Sequence, residues 1–141
     1  MSMPVTLAIC RTCRPEGAAE DIERPGAVLL REALAAVAAR GAGATVEVKT
    51  IACLSACSRA CAATISGDAK FAYVVGNLAP ADADDLVGFA LAHAESADGI
   101  PPWRSRPQVV RKNTIARLPP HGVAHPLVEE PEGLGEEQAS A

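Results

Sequence analysis

Five cysteines carry most of the chemistry available to this chain: Cys10, Cys13, Cys53, Cys57 and Cys61. They fall in two short segments, a C-x2-C and a C-x3-C-x3-C, about forty residues apart. Scattered free cysteines read as small buried hydrophobes. An odd, clustered set in a chain with no export signal reads as metal or redox chemistry, because structural disulfides are rare in reducing compartments. Four thiolates hold a [2Fe–2S] cluster or a tetrahedral zinc. Ala52, Ala56, Ala60, Ala62 and Ala63 keep the second segment slim, so that backbone can approach a bulky cluster and its N–H groups can reach sulfur. Structural zinc usually takes two C-x2-C knuckles, and the x3 spacing of the second segment lacks one. Arg11, Arg14 and Arg59 stand beside these cysteines, either offsetting a negative centre or as solvated loop charges.

The elements that must position these loops follow from periodicity. Residues 5–9 alternate as a strand that ends at Cys10. Residues 11–24 read as a loop. Pro25 suits a first helical turn, Leu30, Ala33, Leu34 and Val37 recur at helical spacing, and Gly41 and Gly43 follow as a stop. Residues 45–51 form a second strand. Residues 62–65 and 71–75 flank Gly67-Asp68 as a hairpin. Pro80 opens a second helix, with Asp82, Asp84 and Asp85 at its positive end and Leu86, Val87, Ala90, Leu91 and Ala94 as its apolar stripe. The expected order is β-α-β-β-β-α, an α+β sandwich of thioredoxin type. A strand–helix–strand unit makes a parallel pair, so both cysteine segments leave the same edge of the sheet. That convergence is the physical argument for one shared site.

The chain divides by texture. Residues 1–99 make the cysteine-bearing domain. Residues 100–125 form a Pro- and Arg-rich strap, in which Arg104, Arg106, Arg111, Lys112 and Arg117 meet no acidic residue up to position 120. Residues 126–141 read as a disordered acidic tail. Trp103 is expected to pack the strap onto the domain. The basic stretch 104–117 is either a solvated strap or a docking face for an acidic protein partner. With 141 residues, a formal net charge of −4 and 49% hydrophobic residues, the chain suits one domain, a nucleic-acid partner is not expected, and no apolar run is long enough to cross a membrane. The N-terminal residues show no signal peptide, which points to the cytoplasm. His93, in the last turn of the second helix, reads as a cation at the negative helix end rather than a ligand. His121 and His125 flank prolines and are not expected to ligate. No Ser-His-Asp set, paired carboxylates or phosphate loop is present, so catalysis by the isolated chain is not expected.

Cys53-Leu54-Ser55-Ala56-Cys57 after a strand, with an upstream pair after the first strand, resembles the thioredoxin-like [2Fe–2S] ferredoxins. The family's first pair is more widely spaced than Cys10 and Cys13, and a Pro is common where Cys61 stands. The resemblance implies a [2Fe–2S] cluster on Cys10, Cys13, Cys53 and Cys57, with Cys61 as the alternative to Cys13, and a role as electron carrier or accessory to a metalloenzyme partner. A second resemblance covers most of the chain: CRTC at 10–13, ACLSACSRAC at 52–61, YVVGNL at 73–78, PWRSRP at 102–107 and IARLPP at 115–120. These are similar to a small bacterial family described as predicted metal-binding proteins, often encoded beside cobalamin-biosynthesis genes. It implies an alternative role as a zinc- or cobalt-binding accessory protein. A further alternative is a C-x2-C thiol–disulfide oxidoreductase, weakened because Pro15 and Gly17 follow where a helix should begin.

Overall fold

The structure is a computed structural model and describes residues 4–133. Five strands form one sheet: β1 (Val5–Cys10), β2 (Val46–Ile51), β3 (Ala63–Ser66), β4 (Ala72–Val75) and β5 (Thr114–Leu118), in the order β2-β1-β3-β4-β5. β1 and β2 are parallel, with Val5 opposite Val46 and Cys10 opposite Ile51. The crossover between them is helix α1 (Pro25–Ala39). β3 runs antiparallel to β1, and β4 antiparallel to β3. Helix α2 (Ala83–Glu95) follows a 3-10 turn at Pro80–Asp82.

Alternation sets which face is buried. Val5, Leu7 and Ile9 of β1, Ile65 of β3 and Tyr73 and Val75 of β4 are at most 1% exposed and join Leu29, Ala33, Leu86, Phe89 and Ala90 of the helices in one core. Each large apolar side chain so buried contributes about 1.5–3 kcal/mol against leaving it in water. Tyr73 meets Phe89 edge-on, with centroids 5.1 Å apart. Thr6, Ala8, Thr64, Ser66, Ala72 and Val74, the intervening residues, are half-buried. A fork joins the helices, with Arg40 Nε and Nη2 donating to Asp84 Oδ1 and Oδ2 at 2.9 and 3.0 Å.

The α+β, thioredoxin-like expectation holds, and the element order extends beyond it. The strap contributes a short helix, α3 (Gln108–Asn113), and then β5, which pairs antiparallel with β4. Val75 faces Thr114 and Val74 faces Ala116, so Ile115 is the extra residue of a bulge. Two other expectations are corrected. Trp103 is 59% exposed, and the side chain of the strap that reaches the core is the fully buried Val110 rather than the tryptophan. His93 is fully buried, with its Nε2 donating to the Phe71 carbonyl at 2.6 Å, and burial pushes its pKa down, so it is a neutral core residue. The cation at the α2 C-terminus is Lys70, whose Nζ donates to the His93 and Ala94 carbonyls at 2.9 and 2.8 Å. Within the tail, residues 126–132 are exposed and Pro131–Gly133 is a 3-10 turn. The rest of the expected disordered segment, 134–141, lies outside the described residues.

Candidate metal centre

The C-terminal ends of β1 and β2 deliver the two cysteine loops to one edge. Main-chain pairing continues past the strands: Arg11 N–H donates to the Ile51 carbonyl at 3.0 Å. The Thr12 hydroxyl then donates to the Ala52 carbonyl in a short hydrogen bond, and Cys10 Sγ lies 3.9 Å from the same oxygen. Thr12 staples the loops, a role the sequence reading did not give it.

The third cysteine of the second segment reaches the site from the other side. Cys10 N–H donates to the Ala62 carbonyl, which places Cys61 one step beyond the β1–β3 ladder. Cys61 is then held by reciprocal main-chain bonds with Leu78, at 3.3 and 3.0 Å. Its peptide bond with Ala60 is cis. Helix α1 closes the site from below. Gly26 N–H donates to the Cys13 carbonyl at 3.0 Å, and a Cβ at Gly26 would overlap the Cys10 carbonyl oxygen. The Pro25-Gly26 pair at the helix start is the sequence signal for this close approach, since only glycine lets backbone meet backbone there. Arg24 Nη1 donates to the Thr12 carbonyl at 2.7 Å and steadies the first loop.

The five thiols divide into two groups. Cys10, Cys13 and Cys61 are buried, at 3%, 6% and 0% exposure, whereas Cys53 and Cys57 are exposed. All five are free of disulfides. Burial pushes Cys13 up to about 12, helped by the Cys10 thiol and by the charges that Cys10 and Cys61 would carry. Burial also pushes Cys61 up to about 11, with the nearby Cys10 adding to it. For Cys10, burial acts in the same direction but is outweighed. Hydrogen bonds from the Cys13 thiol, the Thr12 hydroxyl and the Leu54 and Thr12 N–H groups hold it below the usual thiol value. Cys10 is thus the preferred thiolate of the buried three. Among the exposed pair, Ser55 N–H donates to Cys53 Sγ at 3.2 Å, with Ser55 in the left-handed region. Such N–H bonds to sulfur tune a cluster's potential.

Among the described residues, no group of three or more His, Cys, Asp or Glu side chains stands close enough together to hold a metal ion. The loops thus share one edge, but neither the buried Cys10, Cys13 and Cys61 nor any set including the exposed Cys53 and Cys57 forms such a group. The donor chemistry fits a soft metal centre: the two loops present thiols, with no histidine between residues 10 and 61. Of the neighbouring arginines, Arg11 and Arg59 are exposed, and Arg14 is half-buried with Nη2 donating to the Glu20 carbonyl at 3.3 Å. His125 is far from the cysteine loops in the fold, its Nε2 donating to Asp98 Oδ2 at 2.9 Å and its ring meeting Phe71 edge-on.

Comparison with solved structures returns thioredoxin-like [2Fe–2S] ferredoxins from Aquifex aeolicus. One aligns with a TM-score of 0.58 at 17% identity, covering 87% of this chain and all of that one. The wild-type protein at 1.5 Å resolution aligns with a TM-score of 0.55 at 16% identity, covering 82% of this chain and 99% of that one. At these identities the likeness establishes a shared fold. No curated protein matches the chain. A family model described as "Protein of unknown function (DUF1636)" matches residues 7–120, and the chain belongs to that family.

Proposed function

We propose that this protein binds one [2Fe–2S] cluster through Cys10, Cys13, Cys53 and Cys57 and serves as an electron carrier or an accessory to a metalloenzyme in the cytoplasm. The observation that carries the reading is the stapling of the two cysteine loops at one sheet edge, through Arg11 to Ile51 and Thr12 to Ala52. The thioredoxin-like ferredoxin fold supports it. Burial gives the residues distinct parts. Cys10 and Cys13 are fixed by β1 and by the start of α1, whereas Cys53 and Cys57, on an exposed loop, would complete the ligand set. Cys61 is the competing fourth ligand, because it shares the buried pocket of Cys10.

When bound, the cluster supplies one-electron chemistry. The chain's own residues exclude water from its inner side and donate Ser55 N–H to a ligand sulfur. The same thiols suit zinc, which is the reading of a metal-accessory protein. The deciding experiment is anaerobic reconstitution with iron and sulfide, followed by the ultraviolet–visible spectrum and metal analysis. The [2Fe–2S] reading expects a brown protein with about two iron and two sulfide per chain. A colourless protein with one zinc per chain overturns it in favour of the accessory role.

A further inference from the structure

Trp103 is the only tryptophan of the chain and stands 59% exposed, beside the densest basic stretch of the sequence. Its surroundings are built rather than loose. The Arg106 guanidinium lies 5.3 Å from the indole centroid, and that of Arg111 lies 5.4 Å from it. Each is anchored by Nε alone: Arg106 donates to the Pro101 carbonyl at 3.0 Å, and Arg111 to the Trp103 carbonyl at 3.2 Å. Neither Arg106 nor Arg111 forms an ion pair among the described residues. Two guanidiniums are therefore held on one ring with their terminal nitrogens unspent, and a planar fork of this kind matches a carboxylate. Arg and Trp are also the side chains that most often dominate binding energy at protein interfaces.

This surface runs on to the cysteine edge. Arg111 lies in α3, whose last residue, Asn113, accepts a hydrogen bond from Gly76 N–H at 2.9 Å. A Cβ at Gly76 would lie 2.7 Å from Ile115 Cδ1 and 2.9 Å from Arg59 Cβ. Arg59 ends the 3-10 turn that Cys57 begins. Trp103, α3, Ile115 and Arg59 thus form a continuous path from the guanidinium pair to the cysteine loop.

We infer that the Trp103–Arg106–Arg111 cluster is the docking anchor for a partner protein that presents clustered Asp and Glu side chains. Charge decides between partner classes. All 17 acidic side chains lie outside residues 100–120, where they face only eight of the 13 basic ones. A long polyanion such as duplex DNA, with a charge about every 1.7 Å, would run beyond the basic face onto repulsive surface. A compact acidic patch would not. The inference rests on the carrier reading for why a partner approaches, and not for whether an acidic segment binds.

Trp103 supplies a site-specific probe that requires no iron. Its fluorescence and indole N–H resonance are followed while a hexaglutamate peptide is titrated into the full chain, cluster-free and reduced, in 20 mM and then 300 mM salt. The expected result is a saturable change at low salt, at least fivefold weaker at high salt because exposed charges are screened. Arg111→Gln should weaken binding at least fivefold with an unchanged circular dichroism spectrum, whereas Lys49→Gln, on β2, should leave it unchanged. Arg106→Gln is a second variant; because its guanidinium also lies 5.7 Å from the Tyr73 ring centroid, its binding is read only if its circular dichroism spectrum is unchanged, and Arg111→Gln decides otherwise. The inference is overturned if Arg111→Gln and Arg106→Gln bind the peptide as the wild type does. Tighter binding of an equally charged single-stranded DNA or of phosphatidylglycerol vesicles at the same site overturns the assignment to a protein partner. A positive titration beside a failed cluster reconstitution sinks the carrier reading alone, and the reverse outcome sinks the docking anchor alone.

Discussion

Gly26→Ala should separate the stability of the cysteine turn from that of the helix beneath it. In an exposed helix this change is favourable by about 0.8–1 kcal/mol, because alanine loses less backbone entropy. Here the added methyl would overlap the Cys10 carbonyl oxygen and lie 3.0 Å from Cys13 N and 3.1 Å from Cys13 Cβ. All three are backbone or backbone-proximal atoms that cannot rotate away. Relief requires the turn and the start of α1 to part by about 1 Å, given normal carbon contacts of about 3.5 Å or more. Overpacking of this kind costs about 1–3 kcal/mol. The propensity gain offsets part of this, leaving a net loss of up to about 2 kcal/mol. The displacement also breaks the Gly26 N–H bond to the Cys13 carbonyl, so metal loading should fall by more than the stability loss accounts for. The assay is urea unfolding of the reduced protein followed by circular dichroism, with iron per chain measured after reconstitution. Gly43→Ala is the control, since its Cβ would meet nothing within 4 Å. If Gly26→Ala is as stable as Gly43→Ala and takes up the same iron, the packing of α1 against the cysteine turn does not constrain the site.

Cys57→Ser should abolish the reconstituted spectrum. Cys61→Ser should keep it, whereas Cys13→Ser should not, and the opposite pattern in this pair would move Cys61 into the ligand set. Lys70→Met strands the His93 and Ala94 carbonyls in a buried setting and should cost about 2 kcal/mol in urea unfolding; a loss under about 0.5 kcal/mol would mean that water replaces the ammonium. His93 gives a pH dependence. Burial lowers its folded pKa below the ordinary 6.5, so the unfolded chain binds the proton first as pH falls. Its contribution is complete above pH 6.5 and is lost progressively below it, whereas a His93→Gln variant should show a flatter stability profile over pH 7 to 5. An equally steep profile in the variant would assign the slope to other groups.

The elements with a full repeat were legible in the sequence. β1, α1, β2, the hairpin and α2 each carry several apolar residues at strand or helix spacing. α3 and β5 were not, because six and five residues hold too little periodicity, and β5 takes its register from β4 rather than from its own pattern. The cysteine spacing located both loops and their common edge through the parallel crossover. It did not reveal that Cys61 is buried while Cys53 and Cys57 are exposed, because that depends on how Leu78 pairs with the main chain of Cys61. Local sequence likewise suggested His93 as the helix-terminal cation. The residue that fills that place, Lys70, comes from a turn 23 positions earlier. Trp103 was misread as the anchor of the strap for a related reason: a lone aromatic suggests packing, and here two arginines cover the ring at the surface.

On the proposed reading, the β1–α1–β2 crossover also fixes when a centre shared by the two loops can be loaded. A chain emerging from the ribosome shows Cys10 and Cys13 long before Cys53, and the two loops meet only once β2 has paired with β1. Parallel pairing across an intervening helix is a non-local contact, and such contacts form slowly because loop closure precedes any gain from them. Insertion of such a centre therefore follows strand pairing. Throughout that interval five unoccupied thiols compete for oxidants, so thiol oxidation and strand pairing race each other. The yield of loaded protein in a cell or a refolding vessel should then follow the redox poise during folding more closely than the supply of metal afterwards.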